Sequence, residues 1–155
     1  MAAVNGIVDR FGTPDWRPIE LFYENNYTQA IAGMSLADVV LVNPMLDGMN
    51  LVAKEAVIVN ERNAALILSE GAGAFYQLGD AVLSVAAGDV DGTAAALETA
   101  LSMPEVERVV RLRSLRQSVE SEDLVWWIRR QIEDLGQIEV DSISGQSQAF
   151  LAELL

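Results

Sequence analysis

The chain of 155 residues contains no cysteine and no histidine, and its one lysine is Lys54. Without cysteine there is neither a disulfide nor a thiolate for metal or nucleophilic chemistry, a composition that fits the cytoplasm. Without histidine, Ser-His-Asp and Cys-His catalysis are excluded within the chain, and the commonest general base and zinc ligand is lost with them. Apolar residues make up 51% of the sequence, yet no apolar run reaches the roughly 18 residues that a membrane span needs. The first residues, Met1 to Gly6, hold no basic segment leading into an apolar one, so no signal peptide is expected. Positive charge is also scarce. The formal charge is −13, and residues 1–100 hold 13 acids against Arg10, Arg17, Lys54 and Arg62, while the remainder holds ten acids against six arginines. Such a surface repels phosphate backbones, so nucleic acid is not expected as a partner.

What the sequence does contain is organised around residues 43–55. The apolar run from Asp38 to Val42 enters this stretch, and a helical pattern from Leu51 to Val59 leaves it. Between them lies an Asp47-Gly48 turn ending in Asn50, a residue suited to cap a helix N-terminus. A strand that stops, turns through glycine and opens a helix presents free backbone N–H groups at the positive end of the helix dipole, a natural seat for phosphate. Asp47 and Glu55 bracket the turn with seven residues between them. Carboxylates do not favour phosphate, so sugar or ribose hydroxyls are their natural ligands. On composition alone the two also read as a turn aspartate and a solvated helix glutamate, and Lys54 as a solvated helix residue.

The length suits one domain with a real core. In chain order, residues 1–18 read as a loop with at most one helical turn, punctuated by Asn5-Gly6, Gly12, Pro14 and Pro18. Residues 19–23 read as a short strand, followed by a helix capped at Thr28 and running to about Leu36. Apolar strands are expected at 38–42, 64–68 and 81–85, with Asn60 breaking the helix after the first. The turn Ser69-Glu70-Gly71-Ala72-Gly73-Ala74 follows the second of these and opens a short helix closing at Gly79-Asp80. Helices are expected over 91–101, from Pro104 onward, and over 122–135. In the helix after Pro104, Val106, Val109, Val110, Leu112 and Val119 form the apolar face, and Arg108, Arg111, Arg113 and Arg116 read as solvated. Trp126 and Trp127 read as core or interdomain packing residues. Residues 139–155 read as a linker or tail. This alternation predicts an α/β fold, a Rossmann-like parallel sheet with helices on both faces. In such sheets ligands bind beyond the carboxyl ends of the strands, where both glycine-bearing turns lie. No G-x-G-x-x-G and no P-loop sequence is present.

The nine residues Asp47-Gly48-Met49-Asn50-Leu51-Val52-Ala53-Lys54-Glu55, with Leu66-Ile67-Leu68-Ser69-Glu70 and Ala72-Gly73-Ala74, closely resemble the trehalose-6-phosphate synthase family. Arg10 to Pro18, the run to Ser102-Met103-Pro104 and the tryptophan-bearing last helix agree as well, so the resemblance covers about residues 1–136. The family comprises retaining glycosyltransferases (family 20) of the two-domain GT-B architecture. The resemblance implies that this chain is the C-terminal, donor-binding part, with residues 1–138 a partial nucleotide-sugar domain. It implies that Asp47 accepts from glucose hydroxyls, that the backbone at Gly48, Met49 and Asn50 contacts sugar and diphosphate, and that Leu51 and Val52 add backbone contacts near the phosphates. Glu55 would accept both ribose hydroxyls. The family reaction transfers glucose from UDP-glucose, or another nucleoside diphosphate glucose, to glucose-6-phosphate with retention. It needs no metal, no cofactor and no nucleophile from this part, and no catalytic residue is assigned here.

The departures from the family pattern set limits. The acceptor-binding domain, the first part of the donor domain, and the Arg and Lys that neutralise the donor diphosphate have no counterpart in this sequence. Leu46 stands where many members carry Arg, and Gly71 replaces a usually bulkier residue. The expectation is therefore a truncated donor-binding half, inactive alone, whose sugar-phosphate acceptor binds through the absent N-terminal domain; a homo-oligomer of the full enzyme is compatible with this. The donor base (UDP, GDP or ADP) stays open. So does a related transferase with another acceptor, such as glycerol-3-phosphate. A non-catalytic interaction module or remnant is the alternative of a different class.

Overall fold

The computed structural model describes residues 2–136, so the tail expected over 139–155 lies outside the described residues. Two compact units divide the chain, one up to Ala30 and one from Ile31 onward. The first begins with helix α1 (Ala2–Phe11), where the sequence reads as a loop. The Asn5-Gly6 turn signal is overridden, although glycine inside a helix costs about 1 kcal/mol against alanine. Gly12 follows, its N–H bonding Val8 O at 2.8 Å, and a side chain there would stand 2.6 Å from the same oxygen. The strand expected over residues 19–23 is absent. Among the described residues no strand pairs with it, and Leu21, Phe22 and Tyr23 are exposed. Helix α2 (Tyr27–Leu36) then starts two residues earlier than a cap at Thr28 implies, because Asn26 Oδ1 accepts from Gln29 N–H at 3.1 Å.

The unit from Ile31 onward is built on three parallel strands in the order β1 (Val39–Val42), β2 (Ala65–Ser69), β3 (Leu83–Val85). Val39 lies opposite Ala65, and Ile67 opposite Leu83. The central strand is buried along its whole length, as a near-continuous Ala-Leu-Ile-Leu run should be when helices cover both faces. Alternation divides it between two cores. Leu66 and Leu68 face one layer with α3 (Leu51–Val59), α4 (Phe75–Leu78) and α6 (Glu105–Ser121), through Ala53, Val57, Leu78, Leu112 and Leu115. Ala65 and Ile67 face the other with α5 (Val90–Ser102) and Met103, through Ala96, Leu97 and Ala100. The fold class expected from the sequence is the observed one.

Helix α6 corrects its expected face. Leu112 is buried and Val109 and Val119 half-buried as expected, but Val106 and Val110 are exposed and Leu115 is buried, so the contact stripe is rotated toward the arginine side. Two arginines expected in solvent are thereby engaged on backbone. Arg116 Nε donates to Val57 O at 2.7 Å and its Nη2 to Asn60 O, closing the C-terminal end of α3. Arg111 reaches Ala81 O and Val82 O at 3.4 and 3.5 Å while pairing with Glu107 at 2.9 Å. Asn60 is more than a helix breaker. Its buried side chain donates to Met34 O and Ala37 O and accepts from Arg62 and Ala64 N–H, tying the end of α2 to the start of β2. The last described helix, α7 (Leu124–Gly136), buries no residue among those described. Trp126 and Trp127 are therefore not core residues here; they are 40% and 47% exposed.

Candidate functional site

The two glycine-bearing turns lie side by side at the carboxyl ends of β1 and β2, and the backbone joins them. Asp47 N–H donates to Gly71 O at 3.0 Å, Gly73 N–H returns to Asp47 O at 3.0 Å, and Ala74 N–H bonds Met49 O at 2.6 Å. Asp47 and Ala72 thus form a parallel bridge that extends the β1–β2 pairing past the sheet. The small residues of the second turn have a steric cause. A Cβ on Gly73 would stand 1.9 Å from Gly48 O, and one on Gly71 2.4 Å from Met45 O. Ala72 and Ala74 are buried, and Ser69 Oγ accepts from Gly71 N–H at 3.0 Å. The turn at 69–74 is a clamp that holds the Asp47 turn by its backbone. Sequence reasoning places this turn at the rim of a site but does not say which backbone it holds; the alternation of small residues signals only a close approach.

The clamp fixes the entry into α3. Asn50 caps the helix by accepting from Ala53 N–H at 2.9 Å, and does so with a left-handed φ of 68°. The first-turn amides of Leu51 and Val52 have no backbone acceptor among the described residues, as expected at a helix start. Leu51 and Val52 are 60% and 48% exposed. Asp47 is half-buried, with Oδ2 accepting from Asn50 Nδ2 at 3.2 Å. Glu55 lies one turn further along α3, half-buried and outside every ion pair among the described residues. Asp47, Gly48, Met49, Asn50, Leu51, Val52 and Glu55 therefore share one turn and the first two turns of one helix.

A depression of about 240 Å³ adjoins the turn, lined by Gly48, Met49, Lys54, Gly73, Ala74, Tyr76, Gln77 and Glu122. Lys54 is its only cation, and Glu122 is an acid. A larger cavity of about 600 Å³ surrounds the other end of α3, lined among others by Asn60, Glu61, Arg116 and Glu120. Its Arg116 and Asn60 are occupied by backbone carbonyls, and its remaining charges are acidic, so it does not suit a phosphate. The site after β1 offers amides for an anion and carboxylates for hydroxyls. Among the described residues no group of three His, Cys, Asp or Glu could hold a metal ion. No helix among them is long and apolar enough to cross a membrane.

Comparison with known proteins bears on this arrangement. The model of glycosyltransferase family 20 matches residues 1–137. The chain is 41% identical over 140 residues to the trehalose-6-phosphate synthase of Sodalis glossinidius, covering 87% of this chain and 29% of that protein. It is 39% identical over 126 residues to the bifunctional trehalose-6-phosphate synthase/phosphatase of Thermoproteus tenax, covering 80% of this chain and 17% of that one. Among solved structures, an E. coli trehalose-6-phosphate structure bound with UDP-2-fluoro glucose superposes with a TM-score of 0.79 at 34% identity, covering 89% of this chain and 31% of the other. The Burkholderia xenovorans trehalose-phosphate synthase in complex with glucose-6-phosphate gives 0.78 at 36%, covering 87% and 30%. The chain thus spans less than a third of the length of these relatives.

Proposed function

Because this chain belongs to glycosyltransferase family 20, we propose that it is the donor-binding part of a trehalose-6-phosphate synthase of GT-B architecture. In this reading residues 1–138 hold UDP-glucose, or another nucleoside diphosphate glucose, for transfer to glucose-6-phosphate bound by a further domain. The carrying observation is the Asp47–Asn50 turn, clamped through its backbone onto 71–74 and opening directly into the amides of Leu51 and Val52, which have no acceptor among the described residues. The diphosphate lies at those amides and the positive end of α3. Asp47 accepts from the hexose hydroxyls beside the Gly48–Asn50 backbone. Glu55, one turn along, accepts from the ribose. Support comes from the relatives that carry a UDP-glucose analogue or glucose-6-phosphate. A cytoplasmic location belongs to the same reading.

The chemical step needs more than these residues. Front-face transfer with retention depends on charge neutralisation at the leaving diphosphate and on positioning of the acceptor. At the rim described, Lys54 is the cation available. This chain is therefore expected to bind donor weakly and not to transfer glucose alone. Isothermal titration of the folded chain with UDP, UDP-glucose and GDP-glucose tests the reading. Binding that weakens in Glu55→Ala supports it, and no binding of any of the three overturns it for this chain. The exposed apolar residues of α7 (Leu124, Trp127, Ile128) favour a second reading, an interaction module that acts through a partner half. Glucosyl transfer that appears only after adding a separately produced N-terminal half favours the split-enzyme form of the first reading, and docking without transfer favours the module.

A further inference from the structure

The side chain of Asn50 makes two bonds that its backbone role does not require. Its Oδ1 accepts from Ala53 N–H at 2.9 Å while its Nδ2 donates to Asp47 Oδ2 at 3.2 Å. The backbone amide of Ala53 can only donate, so the oxygen of Asn50 must face it and the NH2 group must face the carboxylate. Asn50 also holds a φ of 68°, in the left-handed region that asparagine and aspartate enter more readily than other side chains. Serine or threonine would cap a helix, but neither presents an acceptor and a two-hydrogen donor on opposite sides of one planar group. The backbone of Asp47 is pinned on both sides by Gly71 and Gly73, so rotation of its side chain is the freedom that remains. Asn50 removes it.

We propose that Asn50 is a positioning residue for the donor sugar, holding one carboxylate oxygen of Asp47 so that the other stays aimed at the hexose hydroxyls. This rests on the reading of Asp47 as the sugar acceptor, and the test separates the two. The variants are Asn50→Gly, which keeps the left-handed backbone and costs a cap only a few tenths of a kcal/mol, and Asn50→Asp, which keeps the cap and replaces the donor by an acceptor. Titration of the chain with UDP and with UDP-glucose reads the ratio of the two affinities. In both variants the ratio favouring UDP-glucose falls about tenfold or more, the scale of a lost hydrogen bond to a charged group. In an Asp47→Ala background Asn50→Gly changes the ratio no further, because a residue acting through another has no separate effect. Without ligand, the side-chain amide signals of Asn50 in the 15N-labelled chain shift in Asp47→Ala. Ratios unchanged in both Asn50 variants while Asp47→Ala lowers its own would overturn the inference and leave the donor site standing, as would effects that simply add. A ratio unchanged in Asp47→Ala, or a wild-type chain that binds neither ligand, overturns the donor-site reading and the inference with it.

Discussion

At the scale of single residues, Gly73 and Glu55 separate what builds the site from what the site does. Gly73→Ala must displace Gly48 O, 1.9 Å from the new Cβ, and with it the bonds that hold the Asp47 turn. Backbone cannot yield as a flexible side chain can, so destabilisation of about 2 kcal/mol is expected, with loss of UDP-glucose binding. Gly33→Ala in α2, where nothing lies within 4 Å, should instead stabilise by about 0.5–1 kcal/mol through helix propensity alone. Urea unfolding of the two variants checks the contrast. Glu55→Gln should leave the unfolding midpoint in place and weaken UDP and UDP-glucose alike, by about tenfold, since the ribose is common to both; calorimetric titration of both ligands reads it. A loss confined to UDP-glucose would move Glu55 from the ribose to the sugar. That the seven candidate residues share one turn and one helix start was legible in the sequence, because strand, glycine turn, cap and carboxylate spacing lie within one contiguous stretch. The partners of Gly71 and Gly73 were not, because the carbonyls that stand 2.4 and 1.9 Å from a Cβ built there belong to another turn.

At the scale of elements, the same distinction between local and long-range causes decides what the sequence revealed. The three parallel strands and α3 were legible because their apolar runs and the Asn50 and Asn60 boundaries are local signals. Helix α1 was hidden by turn residues that tertiary context overrides, and residues 19–23 looked like a strand only because pattern says nothing about whether a partner exists. The rotated face of α6 was missed for a related reason. Arginine reads as solvent-facing, but its long stem lets Arg116 lie along buried surface while the guanidinium closes α3 at Val57 O and Asn60 O. Asn60 is the stronger junction, with four side-chain bonds to backbone from α2 to β2 and 1% exposure. Asn60→Ala leaves buried backbone groups without partners, and about 3 kcal/mol of stability should go with it. Arg62→Ala, which removes only the ion pair to Asp38 between groups 54% and 55% exposed, should cost about 0.5 kcal/mol or less. Denaturant midpoints of the two variants, compared at equal slope, test whether the hub or the surface pair joins these elements.

At the scale of the whole molecule, charge sets the terms on which an anionic donor is met. The formal charge is −13, and the first hundred residues hold 13 acids against four bases. The amides of Leu51 and Val52 attract a diphosphate only within the first turn of α3, because a helix dipole acts at short range. The acidic surface repels the same ligand at longer range, and salt screens the longer-range part first, the Debye length being about 10 Å at 0.1 M. Most nucleotide-binding surfaces lose affinity as salt rises. This one should not. Between about 20 and 200 mM sodium chloride the affinity of the chain for UDP should rise or hold level, where a net attractive field would make it fall. Calorimetric titration at four salt concentrations reads the sign directly. A fall would mean that Lys54 and the α3 amides outweigh the acids beyond their immediate surroundings, and the proposed need for cations from outside this chain would lose its electrostatic basis. A rise would give that need a measurable form. On the donor-site reading, adding a separately produced N-terminal half that carries cations to the diphosphate should then reverse the salt dependence.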